Sequence, residues 1–315
     1  MIRFLLILMA SLGFALQPAD AEKRIAISFD DIPRHAGGFF TPDQRAIKLI
    51  AALANAGVKQ AGFFITTGNL EKEAGIGGED RVRAYVAAGH VIANHTKSHP
   101  WLSKTNVQDY IAEIDEAEKW LKRQSGYRPW FRFPYLDEGR RDRQKRNAIR
   151  NALSDRGLAN GYVTIDNYDW HLDSLASQAK QQGKALDMKA LRDLYVETMV
   201  DTANFYDKIA VQTLGRSPAH VLLLHETDIA ALFITDMVRG LVADGWTIIT
   251  MDEAYTDPIA QVEPDTWFLG SGRVAALAHI KGFKPRELVY ERTDEKVLNR
   301  LFSEQVLNEK WNSKK

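Results

Sequence analysis

Two pairs of side chains have the types and spacing of a hydrolytic metal site. His95 and His99 lie four residues apart in His95-Thr96-Lys97-Ser98-His99-Pro100, directly after the apolar run Val91-Ile92-Ala93. If that segment winds as a single helical turn, both imidazoles face one point. A divalent metal asks for such neutral nitrogen donors and draws its other ligands from elsewhere. The second pair, Asp30-Asp31, ends the apolar run Arg24-Ile25-Ala26-Ile27-Ser28-Phe29 and precedes Pro33. Two acids at the carboxyl end of a buried strand sit badly in a core and well in a site. Neighbours on an extended chain point in opposite directions, so one carboxylate can bind a metal while the other faces a substrate water. Each pair has a plainer reading alone: a surface helix, or a polar loop with a capping Asp.

The elements that would carry these residues alternate. After the first strand, Thr41-Pro42 opens a helix that Gly57 closes. Gln60–Thr66 reads as a strand, Arg81–Ala88 as a helix, and His90–Asn94 as the strand that delivers the histidine pair. Asn106–Arg123 places Ile111, Ile114, Ala117 and Leu121 on one helical face. Strands follow at Pro129–Arg132, Tyr162–Ile165, Val221–Leu224 and Trp246–Thr250, with helices over 142–156, Asp187–Gly215 and a segment ending at Gly245. This alternation predicts an α/β fold with a parallel, barrel-like sheet. Every chemistry-bearing segment falls just after a strand, the face where such a barrel keeps its active site.

Bulk properties narrow the function. Lys plus Arg and Asp plus Glu balance at 41 each, so no net field draws nucleic acid or an anionic membrane. The chain has 315 residues, 45% of them apolar, and no cysteine. It can bury a full core, and thiol catalysis, disulfides and thiolate metal sites are excluded. Residues 1–21 read as a secretory signal: Arg3, an apolar stretch from Phe4 to Leu16, and a small-x-small site at Ala19-Asp20-Ala21. That stretch falls short of the roughly 20 residues a bilayer span needs. The expectation is a secreted or periplasmic protein with no membrane span after cleavage, a barrel over 22–258, and a helical extension over 259–315 packed on its outside. In that extension Val297, Leu301, Val306 and Trp311 would line one face.

Five segments in order, Ser28-Phe29-Asp30-Asp31, His95-x-x-Ser98-His99-Pro100, Arg132-Phe133-Pro134-Tyr135, Asp166-x-x-Asp169-Trp170 and Leu222-Leu223-Leu224-His225-Glu226, resemble the motifs of the polysaccharide deacetylase family, carbohydrate esterase family four. The resemblance implies a distorted barrel of about seven strands and hydrolysis of N-acetyl, or O-acetyl, groups on a glycan such as chitooligosaccharide or peptidoglycan. It implies a metal on Asp31, His95 and His99, with zinc best suited and cobalt, nickel or manganese able to fit. Asp30 becomes the general base, with Arg132 its charged partner, and His225 the acid that protonates the leaving amine. Asp169 matches the family's partner for that histidine, while spacing alone leaves Asp166 in competition. The backbone N–H of Tyr135 is the implied oxyanion donor, and Trp170 and Leu223 the implied acetyl pocket. The chain departs from the common pattern at Ile32-Pro33, at Leu136-Asp137-Glu138 and at Glu226, changes expected to alter the rim. Two other readings stay open: hydrolysis of a non-carbohydrate amide or imide on the same fold, and a glycan-binding protein without turnover.

Overall fold

A computed structural model describes residues 22–311; the leader expected over residues 1–21 lies outside them. The first half comprises β1 (Lys23–Ile32), α1 (Pro42–Asn55), β2 (Gly62–Ile65), α2 (Gly78–Ala87), β3 (Val91–Asn94), α3 (Val107–Leu121), β4 (Tyr127–Phe131) and α4 (Arg143–Asp155). Then come β5 (Ala159–Asn160), α5 (Asp169–Gln181), α6 (Met188–Leu214), β6 (Ala219–His225), α7 (Asp228–Ala243), β7 (Trp246–Ile248) and α8 (Met251–Ala254). Two further helices follow, α9 (Gly272–Ile280) and α10 (Glu295–Leu301). Among the described residues no helix is long and apolar enough to cross a membrane.

The strands are parallel in the order β5-β4-β3-β2-β1-β6, with β7 on the first residues of β1. Past β5, Ile165 pairs with Leu222 of β6, so the line of strands returns on itself. The result is a distorted (β/α) barrel of seven strands with a helical C-terminal region. β2 and β3 are buried along their whole length, as parallel strands are when helices cover one face and packed side chains the other. The helices start and stop where local chemistry dictates. Thr41 and Gln44 form a reciprocal capping box ahead of Pro42. Asp187 caps the 27-residue α6, and Gly215 ends it in a left-handed conformation at φ 73°.

Three expectations change. The strand anticipated at Tyr162–Ile165 is instead the two-residue β5 and the single Ile165 bridge. Side chains and other segments claim the backbone between them: Arg132 Nε donates to Gly161 O at 2.7 Å, and Arg273 N to Val163 O at 2.8 Å. Helix α5 carried no start signal because its N-cap is Tyr168, which makes no capping hydrogen bond. In the extension the buried face is Leu298, Phe302 and Val306 rather than Val297, Leu301, Val306 and Trp311. After α10 the chain widens into a π-turn over Phe302–Val306, which rotates the apolar stripe.

A buried histidine in this framework sets one pH dependence. His90 Nδ1 accepts the Ala61 N–H at 3.1 Å, and burial pushes its pKa down to about 4. The unfolded chain takes up that proton near pH 6.5, so the stability from a neutral His90 is complete above 6.5 and lost as pH falls toward 4. The loss from this one group reaches about 3 kcal/mol. Urea unfolding at pH 7 and pH 4.5 should show a smaller acid-induced loss for His90→Gln than for the parent chain. Equal losses would refute the assignment.

Candidate active site

Strand register brings the site together. Asp30 pairs with His225 across β1 and β6, Ile65 with Asn94, and Asn94 with Phe131. The carboxyl ends of these strands therefore lie side by side, and the residues at or just past them share one mouth. Asp30 is buried there, and its Oδ1 accepts from Arg132 Nη1 at 2.6 Å. Arg132 itself is 1% exposed. It also donates to Ser28 Oγ (2.8 Å), Gly161 O (2.7 Å) and Tyr255 Oη (3.1 Å), and its guanidinium lies over the Phe64 ring. Four segments of chain are thus tied to one side chain, and Asp30 is aimed by its bond to the Arg132 guanidinium.

Asp31 does not follow the alternation expected of a strand. The β1–β2 register shifts between Phe29 and Ile32, and Asp31 takes φ 68°. A bulge of this kind re-aims a side chain, so both adjacent carboxylates serve the same mouth. Asp31 Oδ1 lies 3.0 Å from His99 Nε2 and 3.5 Å from His95 Nε2, while Oδ2 accepts from Arg34 at 2.9 Å. The histidine segment is not a helical turn: Thr96 and His99 have φ 66° and 62°. Asn94 Oδ1 accepts from Thr96 N, Thr96 Oγ1 from His99 N, and Glu113 O from Lys97 N. These local bonds outcompete helix formation and still converge the two rings, whose centroids are 4.8 Å apart.

Asp31, His95 and His99 could hold a metal, since their ligand atoms all lie within 4.8 Å of one another. Two observations fit one. Asp31 Oδ1 is buried without a hydrogen-bond partner. His95 Nδ1 is 2.8 Å from Arg132 O, which fixes the proton on Nδ1 and leaves the Nε2 lone pair for a cation.

The fifth segment is held as firmly. His225 Nδ1 is 2.7 Å from Asp169 Oδ1, and the His225 backbone N–H donates to Asp169 Oδ2 at 2.7 Å. Burial pushes the His225 pKa down, but the Asp169 charge and hydrogen bond outweigh it and raise the imidazole above its usual value. His225 Nε2 then faces the Asp31 side of the mouth, 4.0 Å from Asp31 Oδ2. Geometry therefore pairs His225 with Asp169 and leaves Asp166 beside them, where burial raises its carboxyl to about 7.

The mouth is a cavity of about 580 Å³ lined by Asp30, Asp31, His95, His99 and His225 together with Tyr135, Trp170 and Leu223. Arg132 stands behind Asp30, and Asp169 behind His225. Tyr135 sits at φ 57°, stacked on Trp101 with its edge toward His99. The departures from the common pattern mostly turn inward. Asp137 accepts from Ser103 N, Glu138 pairs with Arg150, and Glu226 accepts from Tyr85 Oη and Arg34 N. Of these only Leu136 lines the cavity. Sequence reading passed over Arg34, Trp101, Tyr168 and Glu295, which also line it. Trp101, two residues after His99, and Tyr168, between Asp166 and Asp169, carried a signal in their closeness to the motifs; Glu295 carried none.

Comparison with known proteins decides the family. The polysaccharide deacetylase family profile matches residues 17–183. The chain belongs to the polysaccharide deacetylase family. It is 40% identical over 115 residues to a peptidoglycan-N-acetylglucosamine deacetylase of Bacillus cereus, covering 36% of this chain and 37% of that protein. It is 30% identical over 113 residues to a chitin deacetylase of Colletotrichum lindemuthianum, covering 36% and 42%. The alignments thus span less than half the length of these relatives. The solved structure of the Colletotrichum chitin deacetylase superposes with a TM-score of 0.51 at 18% identity, over 76% of this chain and 91% of that one. A mutant pseudoenzyme of carbohydrate esterase family four gives 0.52 at 15%, over 76% and 71%. At such identities these two likenesses speak for the fold.

Removing Arg132 strands a buried carboxylate. Arg132→Met should cost about 3–5 kcal/mol, read as a shift of the urea midpoint. Adding Asp30→Asn to that variant should recover part of the loss; no recovery would mean that the cost lies in the other bonds of Arg132.

Proposed function

We propose that this protein is an exported, metal-dependent deacetylase that hydrolyses the N-acetyl groups of a glycan of the chitooligosaccharide or peptidoglycan class. The observation that carries this reading is the meeting, in one cavity, of a carboxylate aimed by Arg132, a His-His-Asp ligand set and an imidazole held by a second carboxylate. Membership in the family supports acetylated glycan as substrate, and the two curated relatives act on N-acetylated polymers by name.

Asp31, His95 and His99 would hold the ion. A divalent metal there, zinc being best suited to this donor set, supplies Lewis acidity toward the acetyl carbonyl and lowers the pKa of water. Asp30 takes the proton of the attacking water. Its bond to Arg132 holds one carboxylate oxygen and leaves the other to do so. The backbone N–H of Tyr135 donates to the developing oxyanion. Trp170 and Leu223 receive the acetyl methyl and exclude water from it. His225, protonated with help from Asp169, gives the Nε2 proton to the leaving amine. Asp169 holds the tautomer in which Nδ1 is committed and Nε2 faces the substrate.

Acetate release by the chain from residue 22 onward, on chitooligosaccharides, peptidoglycan fragments and acetylated xylan, tests the reading. Release should vanish on chelation and return with zinc; no release from any of them with metal bound would shift the assignment to a small-amide hydrolase or a glycan-binding protein. Asp30→Asn should lower kcat by about a hundredfold or more while zinc still binds by calorimetry, whereas His99→Ala should lose both. Near-normal turnover in Asp30→Asn would remove Asp30 as the base.

A further inference from the structure

The region beyond β7 contributes to the catalytic cavity. Gly270 and Glu295 line it alongside Asp166, Tyr168 and Trp170, although both lie outside the residues matched to the family, 17–183. Glu295 opens α10, and α10 is fixed in place. His171 Nε2 is 2.8 Å from Asn299 Oδ1, linking α10 to the helix that carries Asp169. Leu298, Phe302 and Val306 are buried in the main core. Asp187 N donates to Val306 O at 3.0 Å, and Arg292 reaches Glu197 on α6 at 3.4 Å. The wall is therefore built into the fold, and His171, next to Trp170, is its link to the acetyl side of the cavity.

Among the described residues no cation stands within salt-bridge distance of Glu295, although the exposed Lys296 follows it on α10. Arg292 is engaged with Glu197, Arg300 with Glu304, and Arg34 with Asp31 across the cavity. Asp30 is matched by Arg132 and Asp169 by His225. Glu295 is exposed to solvent at the mouth, and Tyr168 lies in the field of Asp166, Glu295 and Asp294. A sugar bound beside the reacting one would meet this carboxylate. The chemical group that complements it on a hexosamine polymer is a free ammonium at carbon 2.

We propose that the C-terminal extension is a substrate-selecting wall, with Glu295 the specificity-determining residue that favours glycan carrying a deacetylated, ammonium-bearing unit beside the acetylated one. This rests on the deacetylase reading. A chain with that preference returns to polymer it has already opened, because each turnover creates the group that Glu295 attracts.

The test compares a fully acetylated chitooligosaccharide with one of equal length carrying glucosamine units, using the chain from residue 22 onward with zinc. The parent should show the lower KM on the cationic oligomer. Glu295→Gln should reduce the preference about threefold and Glu295→Lys about tenfold, in KM rather than kcat, with the differences shrinking in 1 M salt. A preference within twofold of the parent in both variants would overturn the proposal. Should the parent release no acetate from either oligomer, the deacetylase reading fails on its own. Calorimetric binding of the fully deacetylated oligomer then decides: weaker binding in Glu295→Lys supports the wall, and unchanged binding overturns it.

Discussion

The buried pair of Asp30 and Arg132 is the constraint on which the rest of the site depends. A guanidinium and a carboxylate cannot both be taken out of water unless nearly every donor and acceptor finds a partner. Arg132 meets that demand by drawing in Ser28 of β1, Gly161 beyond β5 and Tyr255 after α8. The same bonds tie the end of β4 to β1 and to the segments after β5 and α8. Gly161 also lies where a Cβ would come within 2.6 Å of the Phe64 ring, so only glycine lets the chain approach Arg132 this closely. The tie between these segments and the aim of Asp30 are one set of contacts.

The rest of the mouth is supported from behind. Glu226 and Asp228, at the start of the segment after β6, are buried against Arg45 of α1. Arg45 in turn donates to the backbone oxygens of Arg34 and His35, and Asp228 accepts from Phe39 and Phe40. The loop that follows Asp31 is thereby held on both sides, and Arg34 is left to engage the outer oxygen of Asp31. Outer partners of this kind orient ligand side chains, and one of them here, Glu226, is a residue that departs from the common motifs.

How much of this could be read from sequence follows from what each residue's signal depends on. The alternation of strands and helices, and the positions of Asp30, His95, Arg132 and His225 at strand ends, were legible because hydrophobic period and capping chemistry are local. The choice of Asp169 over Asp166 was legible only through the family resemblance and not in the spacing, since it depends on which carboxylate the first turn of α5 directs toward β6. The left-handed conformations of Asp31, Thr96 and His99 were also hidden, because a bulge in β1 and a particular set of side-chain to backbone bonds, rather than any hydrophobic period, set them. Asp137, Glu138 and Glu226 look like rim residues in a list and turn out to be struts, since burial of an acid is decided by a partner far away in sequence. Glu295 is the extreme case: nothing local marks an exposed glutamate some 70 residues after the last motif as part of the cavity.

The strand that carries Asp30 and Asp31 is also the one most dependent on distant chain. β1 pairs with β2, β6 and β7, and two of those partners begin at Ala219 and Trp246. Such pairings are closed only after a long loop has been ordered, and folds dominated by them form slowly. β1 therefore has only β2 beside it until β6 and β7 have been made. A keystone strand whose abutments lie some 200 residues further along the chain is a built-in delay in folding.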